Sequence, residues 1–287
     1  MDQRIIDLYD EFVHTHFNRR LFLEKAAKLA GSMSAAAALL PLLQSNYALA
    51  ATVAADDSRL RTERVTYKGA SGDVKAYLAK PQDEAKRGGV IVVHQNFGLN
   101  PHIEDVARRL AVEGYVALAV DFLSQLGGTP ADEDAARATF SKVDKGNATG
   151  DANAAVTYLR SRPDSNGKVG VVGFCWGGDI VNRMAVTNPT LNAASVFYGV
   201  APDLTLVPNI KAALLLNYAD PKLDTRVGAT VPPYEQALKA ANIKYTLYYY
   251  EGANHAFNDD TNSARYNEAA AKLAWQRTLA LFKANVA

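Results

Sequence analysis

Gly173-Phe174-Cys175-Trp176-Gly177-Gly178, set directly after Lys168-Val169-Gly170-Val171-Val172, decides the reading of the fold. A β-branched run that ends in a glycine, one reactive side chain and two more glycines is the strand, sharp turn and helix that lift a nucleophile above the edge of a sheet. The glycines let the backbone take the strained turn and let the following helix pack close without a Cβ in the way. The chain has one cysteine, and it stands where such an elbow usually carries serine. A lone cysteine is more often a small buried hydrophobe than a reactive group. Here the flanking glycines, the strand before and the helix opening at Trp176 agree on the second reading. That helix aims free backbone N–H groups and the positive end of its dipole at the elbow, which favours a thiolate and then an oxyanion.

A thiol needs a base, and histidine has a suitable pKa near neutrality. Of the five histidines, His14 and His16 fall in an N-terminal leader and are set aside. His255 follows the strand pattern Ile243-Lys244-Tyr245-Thr246-Leu247-Tyr248-Tyr249-Tyr250 and stands in Glu251-Gly252-Ala253-Asn254-His255-Ala256-Phe257, a loop before the last helix. His94 ends the strand pattern Val90-Ile91-Val92-Val93, where it lines the cleft or bonds internally. His102, beside Pro101, reads as a solvated first-turn residue. The acid that would hold the imidazole in its tautomer follows Ala212-Ala213-Leu214-Leu215-Leu216-Asn217-Tyr218. Asp220 comes straight after that strand and precedes Pro221, as turn aspartates often do; Asp224 lies further out on the loop and is favoured. Nucleophile, acid and base then follow the chain order of an α/β-hydrolase.

The fold class expected is α/β, the α/β-hydrolase fold: a mostly parallel central sheet with helices on both faces and an antiparallel N-terminal edge hairpin. Strand patterns cover 63–68, 74–79, 90–94, 115–120, 168–173, 194–198, 212–218 and 244–250. Helical patterns cover 101–113, 131–142, 149–160, 176–186, 233–241 and 263–283. The first two strands alternate polar and apolar, as an edge hairpin does; the later ones are apolar runs, as a covered parallel sheet requires. Ligand clefts in such sheets open at the carboxyl ends of the strands, where His94, Cys175, Asp224 and His255 all fall.

These residues resemble the dienelactone hydrolases, or carboxymethylenebutenolidases, which are cysteine-dependent α/β-hydrolases. The likeness spans residues 64–282. Phe97-Gly98-Leu99-Asn100, Tyr115-Val116-Ala117, Asn166-Gly167-Lys168-Val169-Gly170 and Gly252-Ala253-Asn254-His255-Ala256-Phe257 look like that family's segments in the same order. The resemblance implies Cys175 as nucleophile, His255 as base and Asp224 as its partner. It also implies an oxyanion hole from the backbone N–H groups of Trp176 and Asn96, and hydrolysis of a lactone or small carboxylic ester through an acyl-enzyme. The chain departs from the family in three places. Gln95 stands where a glutamate pairs with the resting thiol, Ala256 replaces a serine, and Asn258-Asp259-Asp260 lacks an arginine that holds the lactone carboxylate. Arg137, in Asp132-Glu133-Asp134-Ala135-Ala136-Arg137, matches a second carboxylate-binding arginine or is a solvated helix charge. His94, Gln95, Phe97, Arg137, Tyr198 and Phe257 are the substrate-binding candidates, although core packing explains the aromatic ones equally well. The alternative reading is a non-catalytic exported small-molecule binding protein on the same scaffold.

Asn18-Arg19-Arg20-Leu21-Phe22-Leu23-Glu24-Lys25 looks like a twin-arginine export motif, followed by an apolar stretch over 26–43 and a small-residue cleavage site, Ala48-Leu49-Ala50. Residues 1–50 then read as a signal peptide and 51–287 as the hydrolase domain. Export of the folded chain by the twin-arginine machinery would place it in a bacterial periplasm or exterior. The stretch is too short and broken, at Lys28 and Pro41, for a stable membrane span; an amphipathic interaction helix is the alternative. The 287 residues are 48% hydrophobic with formal net charge +1, which gives no basic surplus for nucleic acid or an anionic membrane. One cysteine permits no internal disulfide. Neither a metal-ligand spacing nor a phosphate-cradling loop is present, so no cofactor and no metal are implied; the partner expected at the site is a small-molecule lactone or ester.

Overall fold

The apolar runs become eight strands: β1 (Leu60–Lys68), β2 (Asp73–Pro81), β3 (Arg87–Val93), β4 (Val116–Val120), β5 (Ser165–Phe174), β6 (Ala193–Phe197), β7 (Ala213–Ala219) and β8 (Tyr245–Tyr250). They form one sheet in the order β1-β2-β4-β3-β5-β6-β7-β8, in a computed structural model that describes residues 1–15, 17–47 and 52–287. The β1–β2 hairpin is antiparallel, from Leu60 opposite Pro81 to Lys68 opposite Asp73. The antiparallel region reaches one strand beyond that hairpin, because β2 also pairs antiparallel with β4. Every later pairing is parallel. β4 and β6 are buried along their whole length, which is why their sequences read as unbroken apolar runs rather than alternating ones.

Helices cover both faces. α6 (Lys145–Ser161), α7 (Trp176–Thr187) and α9 (Val231–Ala240) bury Val156, Val181 and Leu238 against one face. α4 (Pro101–Val112) and α10 (Glu268–Asn285) bury Ile103, Leu110 and Phe282 against the other. α5 (Glu133–Phe140) and α8 (Thr225–Gly228) lie in connections at the carboxyl ends of the strands. α4 starts as its sequence demands: Asn100 caps it by accepting from the Ile103 amide at 3.1 Å, and Pro101 occupies the first turn. Two helix starts differ from expectation by four residues or more. α6 begins at Lys145 rather than 149, because Asp144 caps it at the Asn147 amide and glycines at 146 and 150 interrupt the apolar pattern. α10 begins at Glu268 rather than 263, because Asn267 is its cap and the Asp259 carboxylate holds Thr261 in the preceding turn.

Three further helices, α1 (Gln3–His14), α2 (Arg19–Ala30) and α3 (Met33–Leu43), precede the sheet. Tyr9, Phe12, Phe22, Leu40 and Leu43 form their common core, which Phe97 of the sheet domain joins. The Tyr9 and Phe22 rings meet edge-on at 5.9 Å, and the Arg265 guanidinium lies 5.2 Å over Tyr9. The arginine pair is split between two environments: Arg19 reaches Asp134 at 2.9 Å, while Arg20 is 89% exposed beside Glu24. Among the described residues no single helix is long and apolar enough to cross a membrane; α2 and α3 together reach that length and composition but meet at 112°. His16, Ala48, Leu49, Ala50 and Ala51, and with them the expected cleavage site, lie outside the described residues.

The elbow between β5 and α7 leaves no room for side chains. A Cβ on Gly173 would sit 2.3 Å from the Gly177 carbonyl oxygen, and one on Gly177 would sit 2.3 Å from the Val93 carbonyl oxygen. Both obstacles are backbone and cannot swing aside. Gly177→Ala is therefore expected to cost about 1–3 kcal/mol of stability. Urea denaturation checks this, and an unchanged midpoint would contradict it.

Candidate active site

Cys175 occupies the elbow with φ 56° and ψ −117°, a conformation that a non-glycine residue holds only when its surroundings enforce it. Its amide donates to the Phe197 carbonyl at 3.0 Å, so β6 clamps the turn from one side while β3 presses on Gly177 from the other. The thiol is 5% exposed and lines a cavity of about 540 Å³ together with His14, Asn96, Arg137, Trp176, Tyr198 and Arg226. Trp176 opens α7, so its amide belongs to the first turn, which has no partner within the helix. Asn96 and Trp176 thus meet at the same wall as the sulfur.

His255 and Asp224 come together as a pair. His255 Nδ1 donates to Asp224 Oδ2 at 2.7 Å, and each residue is 4% exposed. Asp224 also caps α8, accepting from the Val227 amide. Asp220 serves a turn instead, accepting from the amides of Lys222 at 2.9 Å and Gly252 at 3.0 Å. Burial pushes the His255 imidazole down, but Asp224 first, then Asp10 and Cys175, raise it to about 10. Burial raises the Asp224 carboxyl, and His255 beside it brings the balance below the ordinary value. His255 Nε2 is buried and has no hydrogen-bond partner among the described residues.

The ring bonded to the sulfur is His14, from the segment read as a leader. His14 Nε2 lies 3.0 Å from Cys175 Sγ. Its Nδ1 donates to the Asp10 carbonyl at 2.7 Å, with an Asp10 carboxylate oxygen at 3.4 Å. The His14 and His255 rings meet edge-on at 5.1 Å. Setting His14 aside is thus corrected by the structure. The signal that could have found it is the apolar spacing Ile5, Ile6, Tyr9, Phe12, Val13, all buried, which marks an amphipathic helix in need of a surface. Burial pushes the Cys175 thiol up, but His14 first and His255 second bring it well below its usual range. Burial pushes His14 down, and Cys175 and then Asp10 raise it to about 9.

The remaining candidates divide. Arg137 stands at the cavity wall, half-buried, with its guanidinium 4.1 Å over the Phe12 ring and Nη1 donating to the Phe12 carbonyl. Tyr198 lines the cavity, its ring 5.0 Å from His255. His94 lies beneath the cavity, fully buried, with Nδ1 donating to the Gln95 carbonyl and Nε2 accepting from the Phe122 amide. It supports Trp176, on which it stacks at 5.8 Å. Gln95 turns its side-chain amide to Asp259 at 3.2 Å. Phe97 packs with the N-terminal helices, and Phe257 sits in the core against Tyr198 and Tyr250. His102 is not solvated: it is 1% exposed, with Nδ1 3.1 Å from Asp260. No metal-ligand spacing is visible along the chain, yet among the described residues folding gathers nitrogen, sulfur and carboxylate atoms within 4.8 Å in two places: those of His14, Cys175 and His255, and those of His102, Asp259 and Asp260.

Comparison with known proteins adds to this geometry. The model of the dienelactone hydrolase family matches residues 74–286, and a model described as YqhI-like matches residues 1–29. A Synechocystis protein, provisionally named a carboxymethylenebutenolidase, is 31% identical over 242 residues, covering 78% of this chain and 97% of its own. A provisionally named hydrolase fragment of Escherichia coli, YghX, is 48% identical over 115 residues, 39% of this chain and 98% of its own. The crystal structure of a provisionally assigned dienelactone hydrolase from Klebsiella pneumoniae superposes with TM-score 0.70 at 32% identity, covering 78% of this chain and 98% of that one.

The His255–Asp224 pair sets a pH dependence of stability. Because His255 is raised in the folded state, the pair's contribution is complete below the ordinary value of 6.5 and is lost as pH rises toward about 10. Because Asp224 is lowered, its contribution is present above 3.8 and is lost as pH falls below that value. Denaturation midpoints are expected to fall with pH on the alkaline side, and to fall less in Asp224→Asn; parallel curves for the two proteins would contradict the pairing.

Proposed function

Since the chain belongs to the dienelactone hydrolase family, we propose that it hydrolyses a lactone or small carboxylic ester by nucleophilic acyl transfer from Cys175. The thiolate attacks the carbonyl carbon; an S–C bond forms, and the carbonyl π pair moves to oxygen. The backbone N–H groups of Trp176 and Asn96 receive that oxyanion, a term worth ~3 kcal/mol or more per donor. Collapse of the tetrahedral adduct breaks the bond to the leaving oxygen, which takes the Nε2 proton of the His255 imidazolium and leaves that ring neutral. His255, held by Asp224, then removes a proton from water, and the hydroxide attacks the thioester and releases the acid with the thiolate. Arg137, at the cavity wall with Nε buried and without a hydrogen-bond partner among the described residues, is the group proposed to meet a carboxylate on the substrate. The observation that carries the reading is a thiol on a strained elbow, inside a cavity, with an aspartate-held imidazole among its neighbours. The non-catalytic binding alternative draws no support from the reported relatives.

Export by the twin-arginine route is a separate proposal, carried by Asn18-Arg19-Arg20-Leu21-Phe22 and the apolar stretch after it. Sequencing the N-terminus of the chain from fractionated cells tests it. A periplasmic form starting near Ala51 supports export with processing; an intact chain confined to the cytoplasm overturns it.

Cys175→Ala is expected to lower kcat on small aryl esters by about 10⁴-fold or more, and His255→Ala to do so by a similar order, with folding unchanged by circular dichroism. Intact-mass measurement during turnover should show the unmodified protein plus one acyl group in the wild type and none in Cys175→Ala. Retained turnover in Cys175→Ala would overturn the assignment.

A further inference from the structure

We propose that helix α1 is a working part of the active site and that His14 is a second catalytic imidazole, which takes the Cys175 proton in the resting enzyme. This inference rests on the reading of Cys175 as nucleophile and applies to the chain that keeps residues 1–50, so it and cleavage near Ala51 exclude each other. In the transfer the Sγ–H bond breaks, its electron pair stays on sulfur, and an Nε2–H bond forms on His14. No other reactant is consumed, and the nucleophile waits as a thiolate beside an imidazolium.

The geometry selects His14 for this proton. Its Nε2 bonds the sulfur at 3.0 Å, whereas His255, one of whose ring nitrogens lies within 4.8 Å of the sulfur, makes no hydrogen bond through Nε2 among the described residues. His14 Nδ1 faces the Asp10 carbonyl oxygen, an acceptor only, so Nδ1 keeps its hydrogen and Nε2 is the nitrogen free to exchange one. His14 is also the last residue of α1, where the helix dipole favours a cation. Arg137 on α5, Lys145 on α6 and Asp179 on α7 line the same cavity as the pair, and further charged groups come from other elements. Asp10 lies on α1 itself, Asp224 and Arg226 on α8, His255 on the loop after β8, and Arg265 before α10, 3.6 Å from Asp10. Two carboxylates thus face two imidazoles, and the raised His14 and lowered Cys175 follow the same charges.

The position of α1 is set by bonds to the cavity wall rather than by apolar packing alone. Asn96 Nδ2 donates to the Val13 carbonyl at 2.5 Å, Arg137 Nη1 to the Phe12 carbonyl at 3.3 Å, and Gln3 Nε2 to Asn254 Oδ1 at 2.6 Å. Asn254 precedes His255, so the helix that carries one imidazole touches the loop that carries the other. With His14 holding the resting proton, the Nε2 of His255 is left for water in the second half of the reaction.

The test is the pH profile of iodoacetamide alkylation of the full-length chain, in EDTA to exclude trace metal. The single cysteine makes the readout unambiguous. For His14→Gln the alkylation rate near pH 6 is expected to fall about tenfold or more and the profile to move to higher pH, toward that of an ordinary thiol near ~8.5. Asp10→Asn, which leaves the ring in place, is expected to move it the same way by less. His255→Gln is expected to abolish ester turnover yet leave more thiolate than His14→Gln does. A His14→Gln profile that overlays the wild type would overturn the proposal, as would faster turnover with an unmoved profile, the mark of a helix that merely blocks the sulfur. Either result leaves Cys175 as nucleophile, whereas an active Cys175→Ala would remove the reading beneath both.

Discussion

One contact between main chains holds the site in place: the close approach of Gly177 to the end of β3, with Gly173 tucked under the same turn. It lets α7 start directly at Cys175, turns that residue to positive φ, and brings the first-turn amide of Trp176 to the cavity wall beside Asn96. A side chain at either glycine would push α7 away from the sheet. Cys175 would then lose both its direction and the amides proposed to receive the oxyanion. Hydrogen bonding finishes what the glycines permit, since the Cys175 amide is held by β6.

The electrostatics of the site follow from how few of its charges meet water. Cys175, His255 and Asp224 are each 5% exposed or less, so every neighbouring charge acts through a poorly screening medium. Burial alone would keep the thiol neutral. Two imidazoles reverse that, and two aspartates keep the imidazoles basic. The balance is mutual: removing one member leaves its partner charged and unpaired in the interior, which costs more than the lost attraction.

The N-terminal helices change how the molecule is understood. Their apolar faces share a core that includes Phe97, and α1 contributes to the cavity that contains Cys175. Apolar residues with an arginine pair read equally well as a leader or as an amphipathic cap, because both patterns place small and aliphatic side chains at similar spacing. The surface on which the three helices lie is assembled from the loop after β3, α5 and the turn before α10. Local sequence carries none of this information.

Eight strands, the parallel core and the elbow were legible along the chain because each depends on neighbours a few residues away: apolar runs, caps, and glycines beside the thiol. The pairing of His255 with an acid was legible from order; Asp224, already favoured over Asp220 along the chain, is the carboxylate on the imidazole, while Asp220 lies on turn amides. The inward turn of His94, the burial of His102 against Asp260, and above all the meeting of His14 with Cys175 across 161 positions were decided by tertiary structure. A side chain's chemistry is written in its own residue type, but which groups it faces is a property of how distant segments pack, and packing sums many weak contacts that no single stretch contains.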